Sequence, residues 1–147
     1  MNTPISALLE RKGPAVHSVS PSATILDAVF EMNRNRVGCM VVMEENWLAG
    51  IFTERDILRR VVGAGLDPRT ARVADVMTTN VITVSPSTTI EEAMAIFTDK
   101  RCRHLPVVEG GRLRGLVSIG DLSRWLVDMH RAEAEHLKNY ISGGLAV

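Results

Sequence analysis

Laid over itself with an offset of 65 residues, the chain matches residues 16–61 onto 81–126 without a gap, and fifteen of those 46 positions are identical. SVSPSATI from Ser18 overlies TVSPSTTI from Thr83, Leu48 and Gly50 overlie Leu113 and Gly115, and Asp56 overlies Asp121. Unrelated segments agree at roughly one position in fifteen to twenty, so the chain carries an internal duplication. A unit of about 60 residues buries too little surface to be comfortably stable alone. The two units are therefore expected to pack on each other and share one core.

Each unit reads as β-α-β-β-α. A short strand at residues 16–19 (81–84 in the second unit) runs into Ser-Pro-Ser, which breaks regular structure. Thr89 opens a helix as T-x-x-E with Glu92, a capping-box signature, and Thr24 with Asp27 is a weaker version. Apolar residues then recur at helical spacing: Ile25, Ala28, Val29 and Met32, and Ile90, Ala93, Met94 and Phe97. Strands follow at 39–43 and 105–108, polar turns at 44–46 and 109–111, and second strands at 48–52 and 113–117. A second helix starts near Asp56 or Asp121. The expected fold class is α/β (α+β), with repeat 1 at residues 14–62, a linker at 63–78 that includes one helical turn at 73–77, and repeat 2 at 79–127. A short helix occupies residues 1–13. The last helix, about 21 residues and about 30 Å long, runs on through 128–147. Its apolar stripe, with Trp125, Met129 and Leu137, is expected to pair with a partner's copy or with the N-terminal helix across a dimer.

Charge removes several functions. Seventeen Lys and Arg balance seventeen Asp and Glu, whereas gripping nucleic acid or an anionic membrane needs a basic excess. The longest apolar stretch falls far short of the ~20 residues of a membrane span. No secretory signal is read at the N-terminus, and Cys39 and Cys102 lack C-x-x-C spacing. The expectation is a cytoplasmic, reduced protein with neither a nucleic-acid nor a membrane partner. His17, His104, His130 and His136 form no metal signature, and no nucleophile motif is present. No catalytic residue is assigned, and the chain is read as a non-enzyme. Arg59, Arg60, Arg69 and Arg72 are explained about as well by a solvated helix face as by an anion partner.

Chemistry concentrates where the second strand of each unit meets its second helix. Gly50-Ile-Phe-Thr53-Glu-Arg55-Asp56 and Gly115-Leu-Val-Ser118-Ile-Gly120-Asp121 both fit G-h-h-[ST]-x-x-D. Unpaired N–H groups and the positive dipole end at such a junction suit a phosphate, and the carboxylate can accept the hydroxyls of a ribose. Alternatively, the hydroxyls or carboxylates simply cap helices; the recurrence of the pattern in both units favours a ligand.

These motifs, together with V-x-[ST]-V-[ST]-P-x-x-[ST]-I and the Arg103-His-Leu-Pro-Val-Val run, resemble a CBS-domain pair (a Bateman module) over residues 14–127. The resemblance implies a pseudo-twofold pair with two clefts that hold adenosine-containing ligands such as AMP, ADP, ATP, NAD or S-adenosylmethionine. It also implies a regulatory role, assembly as a dimer and an effector protein as partner. Carried over by position, Asp121 and Ser118 serve one cleft, with the base near His17, Val37, Gly38 and Cys39. Asp56 and Thr53 serve the other, with the base near Asn80, Ile82, Cys102, Arg103 and His104, and with Arg55 reaching phosphate. The run Lys100, Arg101, Arg103, His104 is a further phosphate candidate. Val41 faces Pro106 in the alignment and Arg55 faces Gly120, so the clefts are unequal, and the Asp56 cleft is expected to bind a charged nucleotide more tightly. The competing reading is a structural dimeric module with vestigial clefts.

Overall fold

The structure, a computed structural model, describes residues 3–13 and 15–145, with side chains as far as Ile141. The ends of the two expected terminal helices, at 1–2 and 146–147, lie outside the described residues. In repeat 1, β1 (Ser18–Val19) pairs in parallel with β2 (Cys39–Glu44), and β2 pairs antiparallel with β3 (Trp47–Thr53). Helix α2 (Ile25–Asn35) starts where the Thr24 side chain accepts from the Asp27 N–H, and it stops at Arg36 in a left-handed conformation. A three-residue α-turn, α3 (Glu54–Asp56), continues as a π-helical segment, Ile57–Val62. Helix α4 (Val73–Val76) is the helical turn expected in the linker.

Repeat 2 follows the same plan, with α5 (Ile90–Lys100) capped by Thr89, β4 (His104–Glu109) antiparallel to β5 (Arg112–Ser118), and α6 (Ile119–Leu145). Both repeats carry a register shift at the same place, between Val42 and Met43 and between Val107 and Val108. One expected element shrinks. Instead of a strand at 81–84 there is a single parallel bridge, Val84 to Val107. In repeat 1 the Val41 N–H donates to the His17 carbonyl. The equivalent of Val41 is Pro106, which has no N–H to offer Ile82.

The chain has two cores rather than one shared core. Phe52, Met40, Val42, Ile25 and Met32 centre repeat 1, and Leu105, Val107, Val117, Ile90 and Phe97 centre repeat 2. Each is completed from outside its own repeat span. Val73 and Val76 of α4 enter the first core, whereas Ile5 and Leu8 of α1 (Ile5–Lys12) enter the second. The backbone ties match: Ile25 N–H donates to the Ala71 carbonyl, and Ile90 N–H donates to the Thr3 carbonyl. The N-terminal helix is thus the counterpart of α4 and supports the distant repeat. A small unit gains the apolar area it lacks by borrowing a helix face.

Helix α6 is longer than expected, 27 residues, or about 40 Å. Its first turns pack on the repeat-2 core through Leu122, Trp125 and Leu126. Helix α1 lies alongside it within the same chain: Arg11 donates to Asp128 at 2.8 Å and stacks over the Trp125 ring. From Arg131 to Ile141 every residue is exposed. Among the described residues no helix is long and apolar enough to cross a membrane.

Candidate functional site

The two G-h-h-[ST]-x-x-D segments fold alike because each closes on itself. The Thr53 N–H donates to Asp56 Oδ2 at 3.0 Å while the Asp56 N–H donates to Thr53 Oγ1 at 3.3 Å. Ser118 and Asp121 repeat the exchange at 2.9 and 3.1 Å. The capping role weighed against ligand binding is therefore real in both copies. It fixes each carboxylate at the seam between the repeats. Asp56 is buried, and its second oxygen faces the Thr78 hydroxyl at 3.4 Å and Arg60 Nε at 3.8 Å.

The seam itself is symmetric. Glu54 N–H donates to the Gly38 carbonyl and Ile119 N–H donates to the Arg103 carbonyl, each at 3.0 Å. These bonds set the loop between helix and strand of each repeat beside the start of its last helix. Strands β3 and β5 adjoin across the pseudo-twofold, so each loop also faces the other repeat.

On one side this produces a cleft of about 830 Å³, lined by Thr53, Glu54, Arg55 and Asp56 from repeat 1 and by Cys102, Arg103, His104, Ser118 and Gly120 from repeat 2. Five guanidiniums line it: Arg55, Arg59, Arg60, Arg101 and Arg103. Arg60 is held by the carbonyls of Val76 and Met77 at 2.9 and 3.2 Å. Among the described residues, the other four side chains have no hydrogen bond or ion pair. Against them stand the carboxylates of Glu54 and Asp56, so the cleft carries a local positive excess inside a neutral chain.

A second, smaller space adjoins it at Gly38, His104 and Ser118. Val37, Gly38, Cys39, His104, Ser118 and Asp121 enclose only about 180 Å³. Lys12 enters this space, its Nζ donating to Asp121 Oδ2 and to the Leu116 carbonyl, both at 2.6 Å. Burial pushes the Asp121 carboxyl up, but the Lys12 ammonium and the Ser118 N–H together hold it below the usual carboxylate range. Burial, then the nearby Lys12 charge, push His104 below the ordinary imidazole value. The Cys39 thiol is raised to about 12, chiefly by burial and then by Asp56, so it is no nucleophile near neutral pH.

Of the residues assigned from sequence, Thr53, Arg55, Asp56, Cys102, Arg103 and His104 gather in the larger cleft, joined by Ser118 from the other group. Val37, Gly38 and Cys39 meet Asp121 in the smaller one. Three lie outside both cavities. His17 is exposed, with its carbonyl tied into the sheet. Asn80 is exposed, and Ile82 packs on the repeat-2 core. The place expected of Asn80 is taken by Thr78, whose backbone bridges Ile51 in both directions at 2.9 Å. Lys100 does not line the cleft, whereas Arg59 and Arg60, which the sequence alone leaves open between a solvated face and an anion partner, do. Their signal was available: Arg59 lies four residues after Arg55, on the same helical face. Lys12 had no sequence signal.

Two repeats of one plan, the second with its first strand reduced to a single bridge, joined about a pseudo-twofold with capped Thr/Ser–Asp pairs at the seam, define a paired-repeat module. The chain belongs to the CBS-domain family, whose sequence model matches residues 7–63 and 73–128. It is 40% identical over 152 residues to the mitochondrial CBS domain-containing protein CBSX3 of Arabidopsis thaliana, covering 97% of this chain and 74% of that one. A CBS-domain-containing protein from Agrobacterium tumefaciens superposes with a TM-score of 0.79 at 38% identity, covering 83% of this chain and 98% of the other. A CBS domain protein from Pyrobaculum aerophilum, solved in complex with AMP, superposes with a TM-score of 0.71 at 32% identity, covering 80% and 88%.

Proposed function

We propose that this chain is a non-catalytic regulatory module that binds an adenine nucleotide in the Asp56 cleft and passes the binding event to an effector protein. One observation carries the reading: a cleft of about 830 Å³ in which the Asp56 carboxylate sits among five arginines. The volume falls within the roughly 300–1,000 Å³ typical of small-ligand sites. Four uncommitted guanidiniums favour phosphate, to which Arg donates charge-assisted and often paired hydrogen bonds. Asp56, fixed by Thr53, suits the two hydroxyls of a ribose. The AMP bound by the Pyrobaculum protein supports adenosine as the nucleoside.

The protein acts as a homodimer in the cytoplasm, where both of its cysteines, free in the structure, stay reduced. Exposed Val127, Leu137, Tyr140 and Ile141 on α6 supply apolar surface for self-association. The test of the ligand is titration of the whole chain with AMP, ADP, ATP and NAD, followed by melting temperature and calorimetry. At least one ligand is expected to raise the melting temperature. Asp56→Asn is expected to weaken that ligand about 10- to 100-fold, as loss of a charged hydrogen-bond partner of about 1.5–3 kcal/mol implies. A parent protein indifferent to all four ligands would reject the reading. So would an Asp56→Asn variant that binds as tightly as the parent.

A further inference from the structure

The two clefts are related by the duplication, yet one is filled by the chain's own lysine. We propose that Lys12 acts as a built-in ligand of the Asp121 cleft, so that the protein presents one nucleotide site rather than two. The inference rests on the nucleotide reading of the Asp56 cleft and extends it to stoichiometry.

The comparison between pseudo-equivalent positions carries the argument. Leu116 is the repeat equivalent of Ile51, and Asp121 of Asp56. In the open cleft, the segment beside Ile51 and Asp56 is Thr78, whose hydroxyl donates to Asp56 Oδ1 at 3.4 Å, with Arg60 Nε at 3.8 Å, and the cleft beside them keeps about 830 Å³. In the other cleft, Lys12 stands beside Leu116 and Asp121 and sends its ammonium onto both. The Asp121 oxygen it takes also accepts the Ser118 N–H. The space left, about 180 Å³, is below the roughly 300 Å³ at which small-ligand sites begin.

Lys12 is not a loosely tethered surface cation. It lies in the last turn of α1, where a positive charge suits the helix dipole. The helix is anchored by Ile5 and Leu8 in the repeat-2 core and by the 2.8 Å ion pair between Arg11 and Asp128. The Asp121 side chain is 17% exposed and that of Lys12 35%, so solvent screens the pair in part. The closed cleft also lacks the arginine supply of the open one: Gly120 stands where Arg55 stands in repeat 1. Lys12 both occupies the ribose-binding carboxylate and takes the volume a nucleoside needs.

The deciding experiment is calorimetric titration of the full chain with AMP and, separately, with ATP. About one equivalent per chain is expected for the parent and about two for Lys12→Ala and Lys12→Gln. The added equivalent disappears when Asp121→Asn is combined with either variant, and survives when Asp56→Asn is. A parent that takes up two equivalents overturns the proposal, as do Lys12 variants that still take up one. If the parent binds neither nucleotide, the reading of the Asp56 cleft fails, and the same variants still decide the role of Lys12. One equivalent that depends on Asp121 then supports it, and none overturns it.

Discussion

Truncating Ile5 to alanine tests the dependence of the second repeat on a helix that precedes the first. Ile5 is fully buried among Leu8, Ile90, Phe97 and Val117. The substitution removes three carbon atoms, about 2.4 kcal/mol of transfer free energy at roughly 0.8 kcal/mol per methylene. The cavity left in a core closed by two sheet strands and two further helices adds to this, for a loss of about 3–4 kcal/mol, inside the 2–5 kcal/mol range of such truncations. For a chain of this size that corresponds to a fall in melting temperature of about 6–16 °C. Urea unfolding followed by tryptophan fluorescence reads it directly, because Trp125 packs on the repeat-2 core and Trp47 is half exposed at the far end of the repeat-1 sheet. In a Trp47→Phe background the remaining signal reports repeat 2 alone. Glu135→Ala, on the exposed part of α6, serves as the control and is expected to change stability by less than about 0.5 kcal/mol. An Ile5→Ala protein within about 0.5 kcal/mol of the parent would refute the borrowed-helix argument. So would a loss of α1 helicity that leaves the Trp125 transition in place.

Gly50→Ala is expected to destabilise by about 1–3 kcal/mol, because a Cβ there would lie 2.7 Å from the Thr78 carbonyl oxygen and 3.0 Å from Met77 Sδ. Gly120→Ala meets nothing nearer than Ser118 Oγ at 3.6 Å and, being in α6, is expected to gain up to about 1 kcal/mol; equilibrium unfolding separates the two. His104 has its pKa lowered from 6.5 in the folded state, so the stability its neutral form contributes is complete above that value and lost as pH falls below it. The urea midpoint is therefore expected to decline as pH falls below about 6.5, and His104→Gln to flatten that decline. Asp121, also lowered, adds stability that is complete above 3.8 and is lost as pH falls through its lower folded value. Lys12→Gln is expected to shrink that second, more acidic decline.

Much of the fold was legible because it is encoded over a few residues at a time. Helical spacing and the Thr24 and Thr89 caps located α2 and α5. The strand pairs came within a residue of their observed limits. The missing strand before Ser85 traces to one proline, Pro106, visible in the sequence but without meaning until its partner in the sheet was known. The site was legible in part. Asp56 was marked by its recurring motif and the Cys102–His104 loop by the family resemblance; the spacing of Arg59 from Arg55 was a signal left open, and Thr78 joined them only through folding.

The duplication, the order of elements and the two capped carboxylates follow from local chemistry and would survive any arrangement of the halves. The core partner of α1, the opening of one cleft and the closing of the other do not. They depend on contacts such as Lys12 to Asp121, 109 residues apart in the chain. No periodicity or cap encodes a meeting at that distance. It follows from which apolar faces the two small repeats must cover, and that choice is made by packing in three dimensions.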